Sequence, residues 1–213
     1  MTDNKKLIFG IILFGSIWGG LEALGIRLTR GMEGFPSSAM LALVAILILS
    51  ASRILLKRPG TTLACGLVAA GFKAACLPSI HFCQVSAVFI TGGVMELAFT
   101  LAERRQLSNW LSWGLVGLSA SYVNYVAFAL VNTYLLSNVF WLERVHRIED
   151  YILVAGTYAA ILSFAGILMG RELGKRTEPA LDRLEQVRAT AYSRGVILAS
   201  LGFWILGILA YRF

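Results

Sequence analysis

Three ionisable side chains lie inside long apolar runs of the sequence: Glu22, Lys73 and Glu96. Such residues usually face the interior of a helix bundle or a water-filled cavity, because a charge in lipid is costly. A structural ion pair, or a lysine that extends to the headgroups, would also account for them. Two acids and a base on separate segments are nevertheless hard to bury without a shared ligand. We therefore predict that they converge on one cavity.

Polar and aromatic neighbours could complete this cavity. The turn between the third and fourth apolar runs carries His81, Cys83 and Gln84. A metal held by His81, Cys83 and Glu96 stays open as an alternative, since one His and one Cys two positions apart are a weak signal. No organic cofactor is predicted. The predicted binding residues are Trp18, Glu22, Lys73, His81, Gln84, Glu96, Asn124 and Tyr125.

Small residues form a stripe in the first run, at Gly10, Gly15 and Gly19. Glycine lets a second helix approach closely in a membrane, where tight packing drives helix association. The neighbour is either another helix of this chain or a separate subunit. We assign the stripe to partner docking.

The segments that must position these residues are apolar runs of about 17–25 residues, the length a helix needs to cross a bilayer. The 213 residues are 57% hydrophobic and 15% charged, far more apolar than a soluble domain. We predict an all-α bundle with about seven membrane-spanning helices. The predicted spans are residues 7–25, 36–55, 61–77, 84–102, 110–136, 151–169 and 195–211.

Basic residues between the runs predict the orientation. With a cytoplasmic N-terminus, thirteen Lys and Arg residues lie on the cytoplasmic side and five on the outer side. This asymmetry follows the positive-inside rule. It predicts a multi-pass protein of the plasma or inner membrane, with its C-terminus outside. The net charge of +7 is explained by these loops, so nucleic acid is not an expected partner.

One sizeable polar segment, residues 171–194, separates the sixth and seventh runs. Its apolar residues recur at helical spacing, which predicts a short amphipathic helix on the cytoplasmic surface, with Pro179 in its first turn. A solvated linker is the alternative. The chain then divides into a six-helix core (1–170), this segment, and a seventh span (195–213).

Missing motifs narrow the function. The sequence has no P-loop, no H-E-x-x-H and no G-x-S-x-G, so ATP hydrolysis and the common hydrolase mechanisms find no support. Its two halves do not repeat each other, which disfavours a self-sufficient secondary transporter.

In size and in the small residues Gly10, Gly15 and Gly19 of its first helix, the chain resembles the substrate-binding S components of energy-coupling-factor transporters. Those proteins usually have six helices, and the seventh span of this chain departs from that number. The resemblance covers residues 7–169. It implies a small-molecule site near the outer face and docking through helix one to a coupling subunit that works with ATPases. Metal-specific members begin with a Met-His metal site. This chain begins Met1-Thr2-Asp3 and lacks it.

The sequence thus favours a membrane subunit that binds or transports a small polar or zwitterionic molecule. Lys73 would pair with a substrate anion, and Glu22 or Glu96 with a cation. A membrane enzyme or redox subunit that uses Glu96 and His81 as acid and base is the second hypothesis. A structural assembly subunit is the third.

Overall fold

The computed structural model describes residues 3–28, 36–76, 82–187 and 189–212, which fold into helices joined by short turns and contain no strand. The all-α bundle predicted from the sequence is confirmed. The helices are α1 (Asp3–Leu28), α2 (Ser37–Leu56), α3 (Thr61–Cys76), α4 (Phe82–Arg104), α5 (Trp110–Leu130), α6 (Val139–Arg144), α7 (Ile148–Asp150), α8 (Gly156–Val187) and α9 (Ala189–Arg212). A π-helical turn, Val131–Leu135, extends α5, and a second one, Tyr151–Ala155, joins α7 to α8.

The described helices include six that are long and apolar enough to cross a membrane; α3, apolar over Thr61–Ala75, is shorter. These seven helices run alternately up and down. We call the end of the bundle that holds the start of α1 the proximal end, and the opposite end the distal end. The distal end therefore gathers the last turns of α1 and α3, the first turns of α2 and α4, and α6.

The tightest crossing in the bundle joins α2 to α8. Gly166, Gly170 and Gly174 recur every four residues on α8, and a Cβ on Gly166 or Gly174 would lie 3.1 Å from a backbone oxygen of α2. A Cβ on Gly170 would come still closer to the Leu47 carbonyl. Small residues at this spacing allow backbones to approach in a membrane. This second glycine stripe was missed in the sequence, although its spacing is regular.

Helix α9, the predicted seventh span, packs mainly along α1. The indole Nε1 of Trp204 donates a 3.0 Å hydrogen bond to Ser16 Oγ. The Trp204 ring also meets Phe72 of α3 edge-on, with centroids 4.9 Å apart. A Cβ on Gly20 would lie 2.9 Å from the Phe203 carbonyl. Close contacts thus fix the position of the last helix against the first.

The polar segment that follows the sixth span is not a separate helix up to Val187. Helix α8 runs without interruption from Gly156 to Val187 and contains Pro179 in its interior. The predicted helix start at Pro179 is therefore wrong. A proline inside a helix removes one backbone hydrogen bond and crowds the carbonyl four residues earlier, yet the helix continues through Pro179.

Candidate functional site

Six of the eight predicted binding residues line one cavity at the distal end of the bundle. The cavity has a volume of about 400 Å³ and is built by α1, α2, α3, α4, α5 and α6 together with Tyr151. Its size is in the range of small-molecule sites. The six residues are Trp18, Glu22, Lys73, Gln84, Asn124 and Tyr125.

The charged centre of the cavity is an ion pair between Lys73 and Glu22. Lys73 Nζ lies 3.3 Å from Glu22 Oε1, and the side chains are 2% and 10% exposed. Lys73 reaches the cavity from the last turn of α3, while Glu22 lies one turn below Ile26 on α1. Each charge therefore compensates the other in a region where an isolated charge would be strongly disfavoured.

Three buried polar atoms around this pair have no hydrogen-bond partner among the described residues. They are Trp18 Nε1, Glu22 Oε2 and Gln84 Oε1. Trp18 and Glu22 are four residues apart on α1 and so share one face of the helix. Buried polar atoms in proteins are nearly always paired with protein, water or ligand. The residues that line the cavity thus include one buried donor and two buried acceptors that have no partner among the described residues.

Aromatic rings form the wall opposite this polar group. The Tyr125 ring stacks on Tyr151 at 5.1 Å between centroids, and the Tyr125 hydroxyl donates a 2.9 Å hydrogen bond to Ser38 Oγ. Trp141 meets Tyr151 edge-on at 4.8 Å. These contacts hold Tyr125, which is 3% exposed, in one orientation at the cavity.

Asn124 is fixed from the neighbouring helix. Thr91 Oγ1 on α4 donates a 3.2 Å hydrogen bond to Asn124 Oδ1. Asn132, eight residues further along in the π-helical turn Val131–Leu135, is buried and bonds to Ser86 of α4. The polar residues of α5 thus serve both the cavity and the α4–α5 contact.

Arg144 is a cavity residue that the sequence analysis did not select. It lies at the end of α6, is exposed, and its guanidinium carbon sits 4.2 Å from the centre of the Phe140 ring. A cation over an aromatic face is attracted by the ring. In the sequence, Arg144 is one of the five basic residues predicted on the outer side. Its approach to the cavity depends on the course of the chain between α5 and α8, which no sequence pattern indicates.

Glu96 does not join Glu22 and Lys73. It lies twelve residues after Gln84 on the same helix, about 18 Å along the axis. Its Oε1 accepts a 3.0 Å hydrogen bond from Arg53 Nη1 and one of 2.7 Å from Gly60 N, and its Oε2 bonds to Thr62. The carboxylate thus caps the start of α3 and pairs with a buried arginine of α2, so its predicted place in the cavity is wrong.

Arg53 completes a structural network at the proximal end. Its Nε and Nη2 donate hydrogen bonds of 2.8 and 2.7 Å to the two carboxylate oxygens of Glu103. Arg53 is 3% exposed, although its position near the end of an apolar run predicts a basic residue at the cytoplasmic surface. A bidentate arginine with two carboxylates has well-defined geometry, so this network ties α2, α3 and α4 together.

The three residues of the alternative metal site do not lie together in the structure. Cys83 lines the distal cavity, whereas Glu96 lies thirteen residues further along α4, about 20 Å away. His81 falls outside the described residues, so its predicted binding role stays a prediction. Within the part of the chain that the structure describes, no three His, Cys, Asp or Glu side chains are grouped to hold a metal.

The glycine stripe of α1 contacts helices of the same chain. A Cβ on Gly10 would meet Leu56 of α2, and one on Gly15 would lie 2.5 Å from Val68 of α3. Gly19 faces Phe72, 2.8 Å from the corresponding position. The stripe is therefore used for packing inside the bundle, and docking of a partner at these glycines stays a prediction.

The chain matches no protein-family model, no curated protein and no solved structure.

Proposed function

We propose that this protein is an integral membrane subunit that binds a small polar or zwitterionic molecule in the distal cavity and takes part in its transport. The proposal rests on three buried polar atoms that have no hydrogen-bond partner among the described residues: Trp18 Nε1, Glu22 Oε2 and Gln84 Oε1. Their residues surround a buried ion pair and line a cavity of about 400 Å³. A purely structural ion pair needs neither the surrounding space nor the unused donor and acceptors.

The chemistry of the lining suggests how such a molecule is oriented. Glu22 and Gln84 offer acceptor atoms and suit a ligand group with N–H donors, such as an ammonium. Trp18 offers a donor and suits a ligand acceptor. Lys73 and Arg144 favour an anionic group, with Arg144 at the exposed rim. The Tyr125 ring suits a flat or apolar body between them.

Transport would draw its energy from other subunits, because the sequence has no nucleotide-binding motif of its own. The resemblance to S components suggests a transmembrane coupling subunit and ATPases as partners. In this chain the glycines of α1 are occupied, so a coupling subunit would meet α1 on the side of Ile8 and Ile12, which are 55% and 37% exposed.

The membrane-enzyme hypothesis receives no support from Glu96, which accepts hydrogen bonds from Arg53, Gly60, Thr62 and Thr100. A carboxylate so fully engaged has little capacity left to act as a general base. The proposed function therefore makes no use of it.

The test is to identify what the purified protein carries. Native mass spectrometry of the wild-type protein is expected to show a bound small molecule, which Glu22→Gln and Gln84→Leu each reduce strongly. Glu149→Gln, which changes an exposed carboxylate outside the cavity, is the matched control and should retain it. Equal retention by wild type and both cavity variants, or no bound molecule after purification from cells, would overturn the proposal.

A further inference from the structure

A second cavity lies at the proximal end, between α1, α2, α8 and α9, and the function proposed above does not involve it. Its volume is about 460 Å³. The walls are mainly apolar. They are formed by Leu7, Gly10, Leu13, Phe14, Ala51, Leu55, Leu56 and Leu173.

The charged residues of this cavity are gathered at its edge. Among the described lining residues, Lys6, Lys57 and Arg58 supply three cations, and Glu178 supplies one carboxylate, which pairs with Lys57. The formal charge of these described lining residues is therefore +2. Lys6 is in the first turns of α1, and Lys57 and Arg58 directly follow α2, so the cations lie where the spans end.

The apolar wall runs along the helices away from this edge. On α1 the lining extends from Lys6 to Phe14, a rise of about 12 Å along the axis. A charged edge that continues into an apolar slot parallel to the helices matches an amphiphile with an anionic head. A free phosphate compound would use the cations and leave the slot unfilled.

We propose that this proximal cavity is a binding site for an anionic phospholipid, with the phosphate at Lys6, Lys57 and Arg58 and an acyl chain along α1. Basic pockets between membrane helices hold anionic headgroups through charge, and the acyl chain adds apolar contact. The site binds one lipid more tightly than the general lipid around the bundle because both features occur in the same cavity.

The experiment compares phosphatidylglycerol with phosphatidylcholine of the same acyl chains, each added to the detergent-purified full chain and measured by native mass spectrometry. Phosphatidylglycerol should be retained on the order of tenfold better. Lys6→Gln with Arg58→Gln should remove most of this preference. Arg104→Gln with Lys175→Gln removes the same two charge types from exposed sites at the same end, outside the cavity, and should leave it unchanged.

Four outcomes would overturn the proposal. Equal retention of the two lipids by the wild type excludes an anion-selective site, and that comparison decides even if the double variant is unstable. Equal loss in both double variants assigns the effect to overall charge. Competition by glycerol phosphate as effective as by phosphatidylglycerol assigns the cations to a free phosphate compound. A dimer that only the Lys6 and Arg58 variant loses would show that a second copy covers the cavity.

Discussion

At the scale of single residues, two buried ion pairs of similar chemistry have different surroundings. The pair of Lys73 and Glu22 borders a cavity and leaves Glu22 Oε2 unpartnered among the described residues. The group of Arg53, Glu96 and Glu103 is bonded throughout. A binding site needs unused hydrogen-bonding capacity and a structural network does not, so substitutions should affect the two differently.

Lys73→Met should lower the free energy of unfolding by about 3–5 kcal/mol, because it leaves the Glu22 carboxylate buried without its partner. Adding Glu22→Gln should restore most of that loss, since no isolated charge remains. Binding of the small molecule should stay lost in the double variant. Thermal melts and ligand retention, measured on both variants, check this.

Recovery of binding together with stability would contradict a role of the charges in recognition. It would favour a pair that serves the fold alone.

Glu96→Gln should destabilise the protein, because Arg53 then faces one carboxylate fewer and an amide NH2 replaces one of the two oxygens that accept hydrogen bonds from the start of α3. The cost should be about 1–3 kcal/mol per lost charged bond. Ligand retention at the distal cavity should be unchanged once the protein is folded. A selective loss of binding with an unchanged melting curve would contradict this assignment.

At the scale of helices, glycine positions fix how closely the rods approach. Gly170→Leu should sharply reduce the yield of folded protein, because the side chain would enter the backbone of α2 near Leu47. Overpacking commonly costs about 1–3 kcal/mol, and more where backbone must move. Gly71→Leu is the control: a Cβ there meets nothing within 4 Å. Fluorescence-detected size exclusion of both variants measures the difference.

Gly15→Leu tests the stripe of α1 in the same way. Because a Cβ on Gly15 would lie 2.5 Å from Val68 and 2.9 Å from the Cys65 carbonyl, we expect loss of the folded protein. A stable monomer that only fails to assemble with a partner would contradict the internal packing and favour docking at this stripe.

At the scale of the whole molecule, the orientation is the main prediction that rests on sequence. The asymmetry of Lys and Arg residues predicts that the proximal end lies in the cytoplasm and the C-terminus outside. A reporter that works only in the cytoplasm should be inactive after Phe213 and active when fused before Met1. Activity at both ends would mean that an even number of helices crosses the membrane.

The helices themselves could be predicted because length and hydropathy are properties of consecutive residues. Glu22 and Lys73 are buried, as a charge inside an apolar run predicts, whereas Glu96 is only partly buried. The partner of Glu96 could not be predicted. Its proximity to Arg53 depends on how far α2 and α4 are shifted along each other's axes. The sequence of a helix shows only which of its residues share one face.

The cavity was predicted in part for the same reason. Glu22, Lys73 and Gln84 lie near predicted ends of spans. Because successive helices run in opposite directions, these three residues are expected at the same end of the bundle. Arg144 and Tyr151 lie in the connection between α5 and α8, whose course is set by packing of aromatic rings such as Trp141 against Tyr151. No periodicity in that stretch indicates where it folds.

The contact of α9 with α1 has a consequence for the order in which the protein is assembled during synthesis. Ser16 and Trp204 are 188 positions apart, so nearly the whole chain must emerge from the ribosome before this hydrogen bond forms. Until then, the side of α1 at Ser16 and Gly20 is open to lipid or to assisting factors. The hydrogen bond between α1 and α9 is therefore one of the last contacts of the bundle to form.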